Sequence, residues 1–333
     1  MKAGKIQESV LKRSVLRQLH MTKQDVRIGA SVGEDCAAFD MGEKDTVVLT
    51  SDPVTGSLDA PKEFADRIVW RAVNNLASAG CEPVGILLTV LLPTAANEPQ
   101  LRTLMQEIDK ACGDAKIAVL GGHTEVTRAV NEPVVTVTGT GKVMADKLIH
   151  TSAVRSGMDL IATNWIALEG TVRLAQNREK ELRTRYPQPF IDKAKKLDVY
   201  IRVRSEAAVA CMSGVSAMHD ASVGGIFAAL WEMAEASGVG LEIDLKKIPI
   251  RQETVEICEF FGINPYKLAS GGCLLIAAED GNAVVREIEK AGGHATIIGK
   301  ATDSNDRVLI NEDERRFLET PQTDEIAKIG ELA

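Results

Sequence analysis

The run V-G-I-L-L-T-V-L-L-P from Val84 to Pro93 constrains the fold most. It is nearly continuously apolar, of strand length and closed by a proline, as expected of a strand buried on both faces. Amphipathic helices flank it. From Pro61 to Ala79, residues Phe64, Ile68, Ala72 and Leu76 share one stripe, and Gly80 is placed to end the helix. Asp59 and Pro61 suit its N-cap and an early helical position. Glu98 to Cys112 turns Leu101, Leu104, Met105 and Ile108 inward, and Ile6 to Leu19 is a further amphipathic helix with a basic face.

Upstream, Gly33 to Asp52 reads as a hairpin of two short β-runs, with Glu34 and Asp35 before the first and Asp52 after the second. Acids in turns have a purely conformational explanation. Four later stretches shift the balance by setting polar residues beside glycines at the ends of apolar runs. Asn74 and Asn75, poor helix formers, close the Pro61 helix, either facing water or held to bind something. Ile117 to Arg128 is a short strand, the double glycine Gly121-Gly122, and then His123, Thr124, Glu125 and Arg128 before a strand from Pro133 to Val143. The glycines allow positive φ or close approach of backbone to ligand, and the polar cluster suits phosphates and metal; a histidine bonded only to backbone is the alternative.

His219-Asp220-Ala-Ser222-Val-Gly224-Gly225 follows a strand from Val215 to Met218 and opens a helix ending at Gly238. That order offers free backbone N–H groups to a phosphate; the alternative is a tight turn capped by Asp220 or Ser222. Leu268 to Gly272, with Gly271, precedes the strand Cys273 to Ala278. The charged stretch Asn177 to Lys196 reads as a surface excursion. Gly139-Thr-Gly141-Lys142 fails as a phosphate loop, since Thr136 stands where the first glycine belongs and Val143 follows the lysine. No strand leads into G-x-G-x-x-G, so a dinucleotide fold is not indicated.

With 333 residues and 45% hydrophobic content, two globular domains are expected, divided in the polar stretch Met144 to Gly157 into 1–150 and 151–333. The second alternates strands and helices, which favours a helix-on-sheet sandwich. A net charge of -8 with interspersed signs argues against nucleic-acid or anionic-membrane partners. Six scattered cysteines without a C-x-x-C pair, no apolar signal core and no run long enough to span a bilayer point to a cytoplasmic protein.

In this order, G-E-D-C-A-A, T-S-D, V-N-N-L-A-S-A-G, G-G-H-T-E, H-D-A-S-V-G-G and L-A-S-G-G resemble the aminoimidazole-ribonucleotide (AIR) synthetase superfamily, whose members include thiamine-monophosphate kinase, selenophosphate synthetase and the hydrogenase maturation factor HypE. The stretch from Ala217 to Gly240 is most similar to the HypE-like branch. The resemblance implies a PurM-like α/β (α+β) fold: an N-terminal domain whose sheet forms a β-barrel with that of a second subunit, and a C-terminal α/β sandwich. It implies a homodimer binding ATP with magnesium in a cleft between the domains, near the dimer interface, and phosphorylating an oxygen of a small substrate. Carried over, Asp35 and Asp52 belong to the metal site. Asn75, Gly121, Gly122, Thr124, Ser222, Gly224, Gly225 and Gly271 would line the nucleotide, and His123 and Asp220 are the catalytic candidates. Glu34 stands where the kinase branch often has Asp, Asn75 replaces a common acid, and Ser222 and Val223 depart from the expected residues before the double glycine. The sequence given ends I-G-E-L-A, without the C-terminal cysteine of the hydrogenase factor. An external acceptor is therefore expected in place of that factor's own reaction, and an inert nucleotide-binding relative is the rival reading.

Overall fold

In a computed structural model, residues 8–19, 23–42 and 44–330 are described. Ile6 of the N-terminal amphipathic helix lies outside them; the described part is a short helix, α1 (Glu8–Ser14), and a 3₁₀ turn at Leu16–Gln18. The chain forms two compact units. The smaller comprises 23–29 and 35–148; the larger takes the described N-terminal residues, 30–34 and everything from Ile149 onward. The division is thus less simple than a single cut near 150, because the chain passes between units at Glu34–Asp35.

The smaller unit contains β1 (Val26–Ile28), β2 (Ala37–Asp40), β3 (Asp45–Thr55), α2 (Pro61–Ser78), β4 (Glu82–Leu92), α3 (Glu98–Ala115), β5 (Ala118–Val126) and β6 (Val134–Met144). Its six strands form one mixed sheet in the order β1-β2-β3-β6-β4-β5. Phe64, Ile68, Val69 and Ala72 of α2 and Leu104 and Ile108 of α3 pack with Ile86, Leu88 and Val90 of β4 and with Val135 and Val137 of β6. Pro61 is the first residue of α2, but its N-cap is Ala60; the Asp59 backbone N–H instead donates to Ser57 Oγ at 3.1 Å. Gly80, at φ 71°, ends α2 as expected, its N–H reaching Ala77 O while that of Cys81 reaches Leu76 O.

Two expectations for this unit fail, the first because helices cover the sheet beside β4 on one face only. β4 alternates between buried and exposed residues, and Val84 and Leu87 are each 44% exposed, so it is not a strand buried on both faces. β3 runs past Asp52 to Thr55, paired throughout with β6, so Asp52 lies within the strand rather than after it. The Gly121–Gly122 pair likewise sits inside β5, not in a turn.

The larger unit contains β7 (Asp159–Thr163), α4 (Leu168–Asn177), α5 (Glu179–Leu182), α6 (Gln188–Lys195), α7 (Arg204–Met212), β8 (Ala217–Asp220), α8 (Gly225–Ser237), β9 (Gly240–Asp244), α9 (Gln252–Phe261), β10 (Leu274–Ala278), α10 (Gly281–Lys290), β11 (Ala295–Thr302), β12 (Arg307–Asn311) and β13 (Glu314–Phe317). Its seven strands run in the order β13-β12-β9-β11-β7-β10-β8, antiparallel except for β12 with β9. β7 and β10 are buried at every residue, and Ile226, Leu230 and Met233 of α8 pack with Leu160, Ala162, Leu275 and Ala277. Residues 177–196 are not a surface excursion. They fold into α5 and α6, and Leu182, Ile191 and Ala194 reach full burial. Their charges cover the outer side of helices whose apolar positions are too few to show as a stripe.

Candidate functional site

The hairpin β2–β3 and the last turns of α2 build a connected polar network in the smaller unit. Asn75, 6% exposed, spends its two amide protons on Asp52 Oδ2 (2.8 Å) and Thr50 Oγ1 (2.9 Å). Thr50 Oγ1 lies 3.5 Å from Asp52 Oδ2. One turn further along α2, Ser78 Oγ is 2.9 Å from Asp35 Oδ2 and 2.8 Å from the Asn75 carbonyl, which also accepts from Cys36 Sγ at 3.1 Å. Asp35, Asp52 and Asn75 are therefore brought together, through Ser78 and Thr50, which the sequence reading missed. An asparagine near a helix C-terminus and a serine three residues later were the available signal.

Both carboxylates are half-buried, and Asn75 and Ser78 are among the groups that hydrogen-bond to them. Hard oxygens on a rigid hairpin and helix suit a divalent cation that keeps much of its shell for water and phosphate. Among the described residues no group of three His, Cys, Asp or Glu is placed to hold a metal ion on its own.

Glu34 does a different job from its neighbour. Its carboxylate accepts the Thr151 and Ser152 N–H groups, both at 3.1 Å, capping the 3₁₀ turn Thr151–Ala153 in the larger unit.

His123 is not brought to this network within the chain. Asp52 registers with Val137, Val137 with Leu88 and Leu88 with Gly122, placing β5 three interstrand spacings, about 14 Å, from Asp52. His123 registers with the exposed Thr89, on the uncovered face, and its Nε2 lies 3.3 Å from Glu125 Oε2. Thr124 registers with buried Val90, on the other face. The glycines serve strand pairing. A Cβ on Gly122, at φ 146°, would lie 1.9 Å from Leu88 O, and Gly121 follows a bulge at Leu120.

In the larger unit, β8 ends in His219 and Asp220, only 3% and 4% exposed, and His219 Nε2 is 3.1 Å from Glu232 Oε2 of α8. The two glycine turns are joined: Ser270 N donates to Ser222 O at 2.9 Å, and Ala221 N to Cys273 O at 3.0 Å. Gly225 lets the backbone pass Tyr266 and Leu268, since a Cβ there would lie 2.6 Å from Tyr266 O; one on Gly271 would meet Glu169 Oε2 at 2.6 Å. The Gly224 N–H, expected to be free, donates to Asp324 Oδ2 at 2.7 Å. Asp324 Oδ1 accepts from Ala269 N (3.3 Å) and Ile326 N (3.0 Å). Burial pushes this carboxyl above the ordinary aspartate range, with the Gly224 N–H opposing. About a hundred residues separate Asp324 from the Gly224 turn, so nothing local marked the pairing.

The chain is 28% identical over 333 residues to a Methanocaldococcus jannaschii protein named for hydrogenase expression and formation, covering 98% of this chain and 97% of that one. It is 26% identical to carbamoyl dehydratase HypE of Cupriavidus necator over 259 residues, covering 76% and 72% of the two chains. Its fold resembles that of the hydrogenase maturation protein HypE solved in complex with ATP, with a TM-score of 0.67, 18% identity, and 87% and 89% of the two chains covered. Family models match both halves, the N-terminal domain over 33–143 and the C-terminal domain over 155–311, and these spans make up more than half of the sequence: the chain belongs to the AIR synthase related protein family.

Proposed function

We propose that this protein uses ATP with magnesium to phosphorylate, and so activate, an oxygen of a small substrate. The observation that carries the reading is the Asp35–Ser78–Asn75–Asp52 network, a preorganised set of hard oxygens in a family whose relatives include a carbamoyl dehydratase and a fold neighbour bound to ATP. Asp35 and Asp52 hold the cation, Asn75 fixes the Asp52 carboxylate, and Ser78 fixes that of Asp35. Bound there, magnesium supplies charge neutralisation for the phosphates; phosphoryl transfer asks little more of a protein than positioning and such neutralisation. In the larger unit, Asp220 is the proposed acid–base group, presented by the joined glycine turns.

The acceptor is external to the chain's own thiols. Five of the six cysteines are buried, and burial raises Cys258 and Cys273 to about 12 and Cys112 to about 11, far from a reactive thiolate.

A homodimer is part of the proposal. Val84 and Leu87 are each 44% exposed on β4, Leu120 is 50% exposed at the bulge of β5, and β5 is an edge strand of the single chain. A second copy seated there would cover this apolar surface, close the sheets into a barrel, and give His123 a place in catalysis that its own chain does not provide. Calorimetry of magnesium–ATP binding tests the reading, and loss of binding in Asp52→Ala is the expected result.

A further inference from the structure

We propose that Asp324 is the built-in anion of the larger unit's two glycine turns, its carboxylate filling the place where those turns would otherwise take a phosphate. The inference deepens the proposed function by keeping phosphate out of these turns and leaving them to present Asp220. Three N–H groups from three segments converge on one side chain. Gly224 precedes α8, Ala269 lies in the second turn, and Ile326 belongs to the C-terminal segment itself. The 2.7 Å contact at Gly224 has the length of a charge-assisted bond, and the α8 N-terminus adds a favourable dipole.

The segment is fastened on both sides of Asp324. Ile326 packs into a core cluster with Ile257, Cys258 and Leu268. Arg178 Nη2 donates to Ile329 O at 2.8 Å, Asn264 N to Glu325 Oε2 at 3.3 Å, and Lys267 Nζ lies 2.7 Å from Glu319 Oε2. A phosphate arriving at Gly224 would have to displace a carboxylate that is 7% exposed and draw Ile326 out of the core. It would also meet Glu169, whose charge already acts on Asp324.

Amide proton–nitrogen spectra test the assignment, with inorganic phosphate titrated into the wild type and Asp324→Ala. The wild-type Gly224 and Ala269 amides are expected to stay unmoved by phosphate. In Asp324→Ala both should respond saturably, with phosphate bound at least about tenfold more tightly than by the wild type. A saturable response in the wild type would overturn the proposal, as would a folded Asp324→Ala whose Gly224 amide ignores phosphate. If that variant does not fold, the wild-type titration still decides: silence supports the assignment and response overturns it. Magnesium–ATP calorimetry on the same wild-type sample separates the two claims, because absent ATP binding with silent Gly224 sinks the proposed function and leaves the Asp324 assignment standing.

Discussion

Asn75 Nδ2 sits 2.8 Å from Asp52 Oδ2 and 2.9 Å from Thr50 Oγ1, so one buried amide orients both oxygen-bearing side chains on β3. Asn75→Ala leaves them without that donor, and a loss of about 1–3 kcal/mol is expected in urea denaturation. Asn75→Asp should act differently. A carboxylate against Asp52 is repelled without metal, so the variant should melt below the wild type and regain stability as magnesium is added, more steeply than the wild type does. A magnesium-independent melting temperature in Asn75→Asp would count against the metal assignment.

Gly122→Ala is expected to cost about 2–4 kcal/mol, since its Cβ would overlap Leu88 O and its φ is 146°. Gly113→Ala, within α3 and with nothing near its Cβ, should instead stabilise by about 0.5–1 kcal/mol. Equal effects in thermal melts would contradict the assignment of Gly122 to strand pairing.

The pH response of Asp324 has a definite sign. Its folded pKa is raised above the usual 3.8 by burial, with Glu169 adding to the shift and the Gly224, Ile326 and Ala269 N–H groups opposing it. A raised folded value means that the carboxyl's favourable contribution is complete below about 3.8 and is lost as pH rises through the folded pKa. The stability of the wild type relative to Asp324→Asn should therefore fall from acid toward neutral pH in denaturant titrations. A relative stability that climbs over that range would show that the N–H groups outweigh burial.

Light scattering at micromolar concentration should find a dimer, and Leu87→Arg, which puts a charge on the uncovered face of β4, should shift it to monomer. A wild-type protein that stays a folded monomer at that concentration would remove the homodimer from the proposal.

Most strands and helices were legible because glycine, proline and apolar spacing are local signals; Gly80 ending α2 is the clearest case. Asp35, Asp52 and Asn75 stood out as polar residues beside turns and glycines, but Thr50 and Ser78, which join them, did not, and Asp52 proved to lie within β3. What the sequence did not disclose was which face each residue takes. β4 reads as apolar on both sides, yet one side is uncovered in the chain, and His123 falls on that side while Asp52 meets α2. Long-range partners were equally hidden. Glu34 parts from Asp35 to cap Thr151, and Asp324 reaches back to Gly224, neither marked by any periodicity.

Isothermal calorimetry of ATP with and without magnesium, on the wild type and on Asp52→Ala, tests the central claim most directly. Binding that requires magnesium in the wild type and weakens at least about tenfold in Asp52→Ala is the predicted result. No magnesium-dependent binding in the wild type, or undiminished binding in Asp52→Ala, would contradict it.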